Sequence, residues 1–153
     1  MTVIETVRGA INPERLGITL AHEHIIIDVT VYHRSLMPEE AEVSQARLRD
    51  QPVSEETLTL LDRNPLIQID NLRLNDVQLA AEEPSLFKKL GGGSVIDVTP
   101  RGLGRDVNSV RKISDLTELN IVVATGWYIS PSHPAEVVQG SKDELGLPGK
   151  TFT

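Results

Sequence analysis

Residues 18–28 read ITLAHEHIIID. The stretch is rich in β-branched side chains, lacks Gly and Pro, and follows Gly17, a turn residue. It predicts a β-strand, buried on both faces over its second half. Side chains alternate along a strand, so His22 and His24 project to one face and Glu23 to the other. Two neighbouring imidazoles on one face suit a shared divalent metal ion, because neutral His is the commonest protein ligand for zinc and similar ions. The tripeptide alone also suits a pair of ordinary hydrogen-bonded core histidines. Burying two unpartnered imidazoles among isoleucines would be costly, which favours a partner of some kind.

Downstream of this strand the pattern is that of repeated βα units. The polar stretch from Thr30 to Gln51 has no clear period and reads as an excursion. Ser54 is a candidate N-cap, with Glu55 and Glu56 in the first turn and Leu58, Leu60 and Leu61 following, and Asn64-Pro65 stops that helix. A second helical pattern runs from Asp76 to Leu90, with Leu79, Ala80, Leu86, Phe87 and Leu90 as its apolar stripe. Pro84 inside it implies either a kink or two pieces, the second opened by Pro84. Gly91-Gly92-Gly93 ends the pattern and leads into a second strand, Ser94 to Thr99 (SVIDVT). Asp106 caps a third helix with Val107, Val110, Ile113 and Leu116 on one face. Asn120 to Thr125 (NIVVAT) is a third strand. Apolar strands alternating with helices predict a parallel sheet covered by those helices. After His133 the pattern fades. Residues 1–140 read as one unit and 141–153 as a tail or loop.

Composition narrows the function classes. The chain has 153 residues, 39% of them hydrophobic and 24% charged, as befits a globular domain with a core. A formal net charge of −7 argues against nucleic acid or an anionic membrane as the main partner. With no cysteine, neither a disulfide nor a thiolate ligand nor a cysteine nucleophile is available, so any metal must be held by His and carboxylates. The N-terminus shows no apolar signal segment and no run is long enough to span a bilayer; the expected compartment is the cytoplasm.

Other candidate residues cluster at strand ends. Asp97 and Asp28 stand in or beside apolar strands and need partners. Each suits a hydrogen-bond acceptor for a ligating His, or, more simply, a salt bridge to a nearby Arg or a cap for a following turn. Residues 100–106 (PRGLGRD) follow the second strand at the end where α/β proteins place their sites. Their glycines would let a ligand approach and their arginines bind an anion. A tight βα turn with surface arginines explains them equally well. Gly126-Trp127-Tyr128 ends the third strand and suits a pocket wall, and His133 lies just beyond. No serine nucleophile elbow or kinase signature is present.

Taken together these segments resemble the phosphotriesterase family of the amidohydrolase superfamily. Gly17 to His24 (GITLAHEH) resembles the family's opening signature G-x-T-L-x-H-E-H. Gly91 to Asp106 (GGGSVIDVTPRGLGRD) is similar to its second-strand segment, and Asn120 to Tyr128 with His133-Pro134 to its third. The resemblance covers roughly Arg8 to Pro134, in family order and spacing. It implies an α/β fold, the first three strands of a (β/α)8 TIM barrel with their helices. It also implies a hydrolase of phosphotriester, lactone or related ester bonds, using two divalent metal ions, zinc by preference, and a metal-activated hydroxide. In that pattern His22 and His24 bind the more buried metal, and Tyr128 lines the substrate pocket as in the lactonase-like members. The expected partner is a small-molecule ester, with a homodimer as the assembly of full-length members. Glu118 departs from the pattern, standing where the family has Gly after the third helix.

A full barrel takes about 250 residues and eight strands. The family's bridging ligand, its two later histidines and its last-strand Asp are expected beyond Thr153. Two histidines are at most half of a tetrahedral shell. The expectation is therefore an incomplete metal centre and a chain inactive alone. The alternative is a non-catalytic remnant that binds or interacts through an exposed strand edge; a weaker one is a non-hydrolytic small-molecule binder on the same scaffold.

Overall fold

The structure is a computed structural model that describes residues 2–36, 46–133, 135, 137 and 138. The expected tail over 141–153 lies outside the described residues. The chain opens with an antiparallel hairpin, β1 (Ile4–Thr6) and β2 (Gly9–Ile11), turned through Val7 and Arg8, with Gly9 at φ +116° opening β2. The hairpin is fastened to the third strand of the main sheet: the Val7 amide donates to the Ile121 carbonyl at 2.9 Å, and the Arg8 guanidinium to the Leu119 carbonyl at 3.1 Å.

The main sheet holds β3 (Ile18–Glu23), β6 (Gly92–Asp97) and β7 (Asn120–Val123), all parallel, in the order β3-β6-β7. Helices link them, as parallel neighbours require. Between β3 and β6 lie β4 (Ile27–Asp28), α1 (Thr30–Leu36), α2 (Glu55–Arg63), β5 (Arg73–Leu74), α3 (Val77–Ala80) and α4 (Glu82–Lys89); between β6 and β7 lies α5 (Val107–Thr117). Three consecutive parallel strands with helices on one side form a segment of barrel wall. The core sits between strands and helices. Val95 and Ile121 of the sheet meet Val110 and Ile113 of α5, with Leu119, Ala80, Ala81, Ile25 and Ile26 completing the layer. Each fully buried Val, Leu or Ile side chain in this layer contributes roughly 1.5–3 kcal/mol.

Sequence chemistry explains most element ends. The Asp106 carboxylate accepts from the amides of Asn108 and Ser109 at 3.0 and 3.2 Å, capping α5. At α2 the Ser54 amide donates to the Thr57 hydroxyl at 3.0 Å, and the helix closes on Asn64. The 76–90 pattern is two helices. Asp76 caps the first, the chain breaks at Ala81, and Pro84 is the third residue of the second, where a missing amide hydrogen costs no helical bond.

Several expectations need correction. The 18–28 stretch is not one strand. β3 ends at Glu23, and Ile27–Asp28 pairs antiparallel with Arg73–Leu74 in a separate ribbon. Ile25 and Ile26 are buried as expected, but beyond the strand. The 30–51 excursion begins with α1, whose His33 is a core residue with Nδ1 2.6 Å from the Leu66 carbonyl. Two apolar stripes are also displaced. In α3–α4 the buried residues are Ala80 and Ala81, while Leu79, Leu86 and Leu90 are exposed. In α5, Val110, Ile113, Ser114 and Thr117 face inward, and Val107 and Leu116 do not. The exposed leucines, with Leu20, Leu74 and Phe87, line a groove of about 480 Å³ beside β3.

Candidate functional site

The β3–β6 ladder decides where the histidines stand. Ile18 pairs with Gly92, Thr19 with Ser94, Leu20 with Val95 and Glu23 with Asp97. Gly93 is thus an extra residue in β6, and one extra residue lies in β3 between Leu20 and Glu23: two β-bulges on opposite strands. Leu20 and Glu23, three apart, both take the face of Val95, which packs against the helices. His22 falls on the other face. Gly93 is required where it sits, since a Cβ there would lie 2.2 Å from the Leu16 carbonyl oxygen.

His22 and His24 are both exposed at the C-terminal end of β3, their rings edge to face with centroids 5.7 Å apart. His24 is one residue past the strand. Its Nδ1 lies 2.9 Å from the hydroxyl of Thr99, a fully buried residue just past β6. The Thr99 amide donates to Asp97 Oδ1 at 2.8 Å. Asp97 is itself fully buried, and its Oδ2 has no hydrogen-bond partner among the described residues. Donor chemistry and spacing fit one divalent ion held by two imidazoles, with the Thr99 contact occupying Nδ1 of His24 and leaving its Nε2 for a ligand. They do not complete a site: among the described residues no group of three or more His, Cys, Asp or Glu converges as a metal site needs.

Asp28 plays the simpler of its two expected parts. Its Oδ1 accepts from the Thr30 amide and hydroxyl at 2.9 and 2.5 Å, and its Oδ2 pairs with Arg73 Nε at 2.9 Å. Burial acts to raise its pKa, but the Thr30 and Arg73 contacts outweigh it and hold the carboxyl below its ordinary value.

The 100–106 loop is a structural turn. A Cβ on Gly102 would strike the Ser132 carbonyl oxygen at 2.1 Å, and one on Gly104, at φ +79°, would lie 2.9 Å from the Asp28 Cβ. Its glycines admit neighbouring chain rather than a ligand, and Arg105 donates to the Ala124 carbonyl.

Beyond β7, Trp127 is half-exposed with its ring 6.3 Å from that of His133, and His133 Nε2 is 3.0 Å from the Tyr128 carbonyl oxygen. Tyr128 is also half-exposed, and its hydroxyl accepts from Tyr32 of α1 at 2.6 Å. Donating that hydrogen bond, together with partial burial, pushes the Tyr32 phenol up to about 12. The sequence reading passed over both Tyr32 and Thr99. Tyr32 is the only other tyrosine in a chain with 3% aromatics, and Thr99 follows a buried Asp at a strand's end; those were the signals available.

Among the described residues no helix is long and apolar enough to cross a membrane. Comparison with known proteins bears on family and fold. The profile of the Phosphotriesterase family matches residues 2–145. An N-acetyltaurine hydrolase from Xenopus tropicalis is 32% identical over 143 residues, covering 93% of this chain and 40% of that protein. Among solved structures, a resiniferatoxin-binding protein from Rhodobacter sphaeroides superposes with a TM-score of 0.80 at 35% identity, over 94% of this chain and 39% of the other. A lactonase from Listeria monocytogenes gives a TM-score of 0.58 at 25% identity, over 93% and 35%. The chain spans about two fifths of the length of the curated relatives it matches. With three parallel strands in order and the HEH segment closing the first of them, this chain belongs to the phosphotriesterase family, of whose barrel it forms the opening part.

Proposed function

We propose that this chain supplies one half of a metal-dependent hydrolase centre, with His22 and His24 as ligands of a single divalent ion and Tyr128 in the wall of the substrate pocket. The observation that carries the reading is the pair of exposed imidazoles at the C-terminal end of β3, 5.7 Å between ring centroids, beside a buried Asp-Thr pair. Zinc suits such donors best. A complete centre takes two divalent ions, which when bound supply Lewis-acid activation of a water and of the substrate's carbonyl or phosphoryl oxygen.

This chain's own residues then have defined tasks. His22 and His24 hold and orient, and Tyr128, fixed by Tyr32, presents its phenol to the incoming substrate. The substrate is a small molecule with a lactone, phosphotriester or related ester bond. The N-acetyltaurine hydrolases among the relatives extend the class to N-acyl amides, whose carbonyl poses the same chemical problem. In this reading the two ligands placed among the described residues do not suffice, and the chain is inactive by itself.

The test is zinc titration of the full chain with calorimetry, beside turnover assays on a lactone, a phosphotriester and N-acetyltaurine. One ion or fewer should bind per chain, binding should vanish in the His22→Ala/His24→Ala protein, and no substrate should turn over. Uptake of two ions with turnover would refute the inactivity. Identical zinc behaviour in the wild-type and double-alanine proteins would refute the metal reading.

A further inference from the structure

The leucines left outside the core are gathered on one face. Leu79 at the end of α3 and Leu86 and Leu90 of α4 are 57%, 54% and 77% exposed, and all three line the groove beside β3. Spacings of seven and four are those of a stripe that packs against another helix. Charge is divided along α4, with Glu82 and Glu83 in its first turn and Lys88 and Lys89 in its last. That division suits the helix dipole. It also leaves charges beside the leucines with nothing to meet. Glu82 and Lys89 are exposed and form no ion pair among the described residues, whereas Lys88 donates to the Glu118 carbonyl.

Glu82 and Lys89 are seven residues apart, about 10 Å along the helix axis, and so share one strip flanking the stripe. A helix that is acidic at one end and basic at the other is complementary to its own reverse. Turned about a two-fold axis near Ser85, α4 of one copy runs antiparallel to α4 of a second. Glu82 then faces Lys89 of the second copy, and Lys89 faces its Glu82. Leu79 falls opposite Leu90, and Leu86 stands beside the axis. Glu83, on the stripe between Leu79 and Leu86, lies toward the same lysine. A parallel pairing would instead set Glu82 against Glu82 and Lys89 against Lys89. The antiparallel contact makes each favourable pair twice and closes at two copies.

We propose that this face of α3 and α4 is a docking surface for a second copy of the chain, held by the Leu79, Leu86 and Leu90 stripe and by two reciprocal Glu82–Lys89 pairs. It stands apart from the metal reading and needs neither histidine.

The experiment measures the mass of the full chain by sedimentation over a concentration series. Wild type should dimerise. Glu82→Lys and Lys89→Glu should each weaken dimerisation about tenfold or more, because each sets like charges face to face twice. An equimolar mixture of the two variants should recover dimers, since the lysines of one then face the glutamates of the other. Mixing cannot repair a folding defect, so recovery reads the contact itself. Unchanged association in either variant places the contact elsewhere, such as the free side of β3, and overturns the proposal. A mixture that stays monomeric overturns it too. A wild type monomeric at about millimolar concentration leaves the groove to a different polypeptide and does the same. Should a charge variant not fold, a thiol decides. The chain has no cysteine, so Leu86→Cys carries a single one, beside the axis. Under mild oxidation it should crosslink copies in pairs, and Leu58→Cys, on the equally exposed α2, should not. Crosslinking no better at position 86 than at 58 overturns the proposal.

Discussion

Asp28 shows how a single carboxylate can organise chain rather than catalyse. It caps the turn into α1 through Thr30 and ties β4 to β5 through Arg73, both contacts favouring its ionised form. Its pKa lies below the ordinary value in the folded chain, so the unfolded chain binds its proton first as pH falls. The stabilisation it gives is therefore complete above the unfolded pKa of about 3.9 and is lost as pH drops through the lower folded value. Urea midpoints measured from about pH 5 to about pH 3 should fall less steeply in Asp28→Asn than in wild type, with lower stability for the variant at the upper end. Equal slopes would mean that these contacts do not favour the charged carboxyl. At this scale the histidines were legible because two of the same rare residue at spacing two is a local pattern. Thr99 and Tyr32 were not, since their contacts span 75 and 96 residues and no period in the sequence announces them.

At the scale of elements, β6 and β7 could be read because apolar β-branched runs bounded by turns admit few other structures. The helix stripes were read less well. Leu79, Leu86, Leu90 and Leu116 carry the right period yet are exposed, whereas Ala80, Val110 and Ile113 of the same stripes are buried, joined by Ala81, Ser114 and Thr117, which the stripes left out. Periodicity registers how apolar a position is and is blind to whether anything packs against it. Small residues win where helix and sheet approach closely. The end of α5 is a related case. Glu118 takes the left-handed conformation there, with φ 58°, the only non-glycine residue at positive φ among those described. A side chain is strained in that conformation and glycine is not. The Glu118 carbonyl, which accepts from Lys88 Nζ at 3.1 Å, is kept on substitution. Glu118→Gly should therefore raise the unfolding free energy by about 1 kcal/mol, read from urea denaturation. A loss of stability would show that the Glu118 side chain contributes more than its backbone strain costs.

At the scale of the whole molecule, the described residues leave one strand of the sheet with an unpaired side. Among the described residues β3 bonds only to β6, Ile18 is 65% exposed, and Leu90, 77% exposed, lines the groove next to it. An open edge beside a run of exposed leucines is the arrangement that soluble monomers avoid. The full chain should associate as its concentration rises, and Leu79→Lys/Leu90→Lys should lessen this without lowering helix content. Light scattering with circular dichroism checks both; a wild-type chain monomeric at millimolar concentration would contradict the expectation. The sequence revealed the number and order of the main strands. It could not reveal which apolar side chains lack a neighbour, because that depends on what covers the sheet.

The two bulges behave like lattice dislocations of opposite sign. Ile18 with Gly92 and Glu23 with Asp97 share one offset, so the slip introduced by Gly93 is cancelled before the strands reach their far ends. Excising one residue from either strand would therefore slide everything beyond it by a single step and part His24 from Thr99. Excising one from each would leave that pairing where it stands.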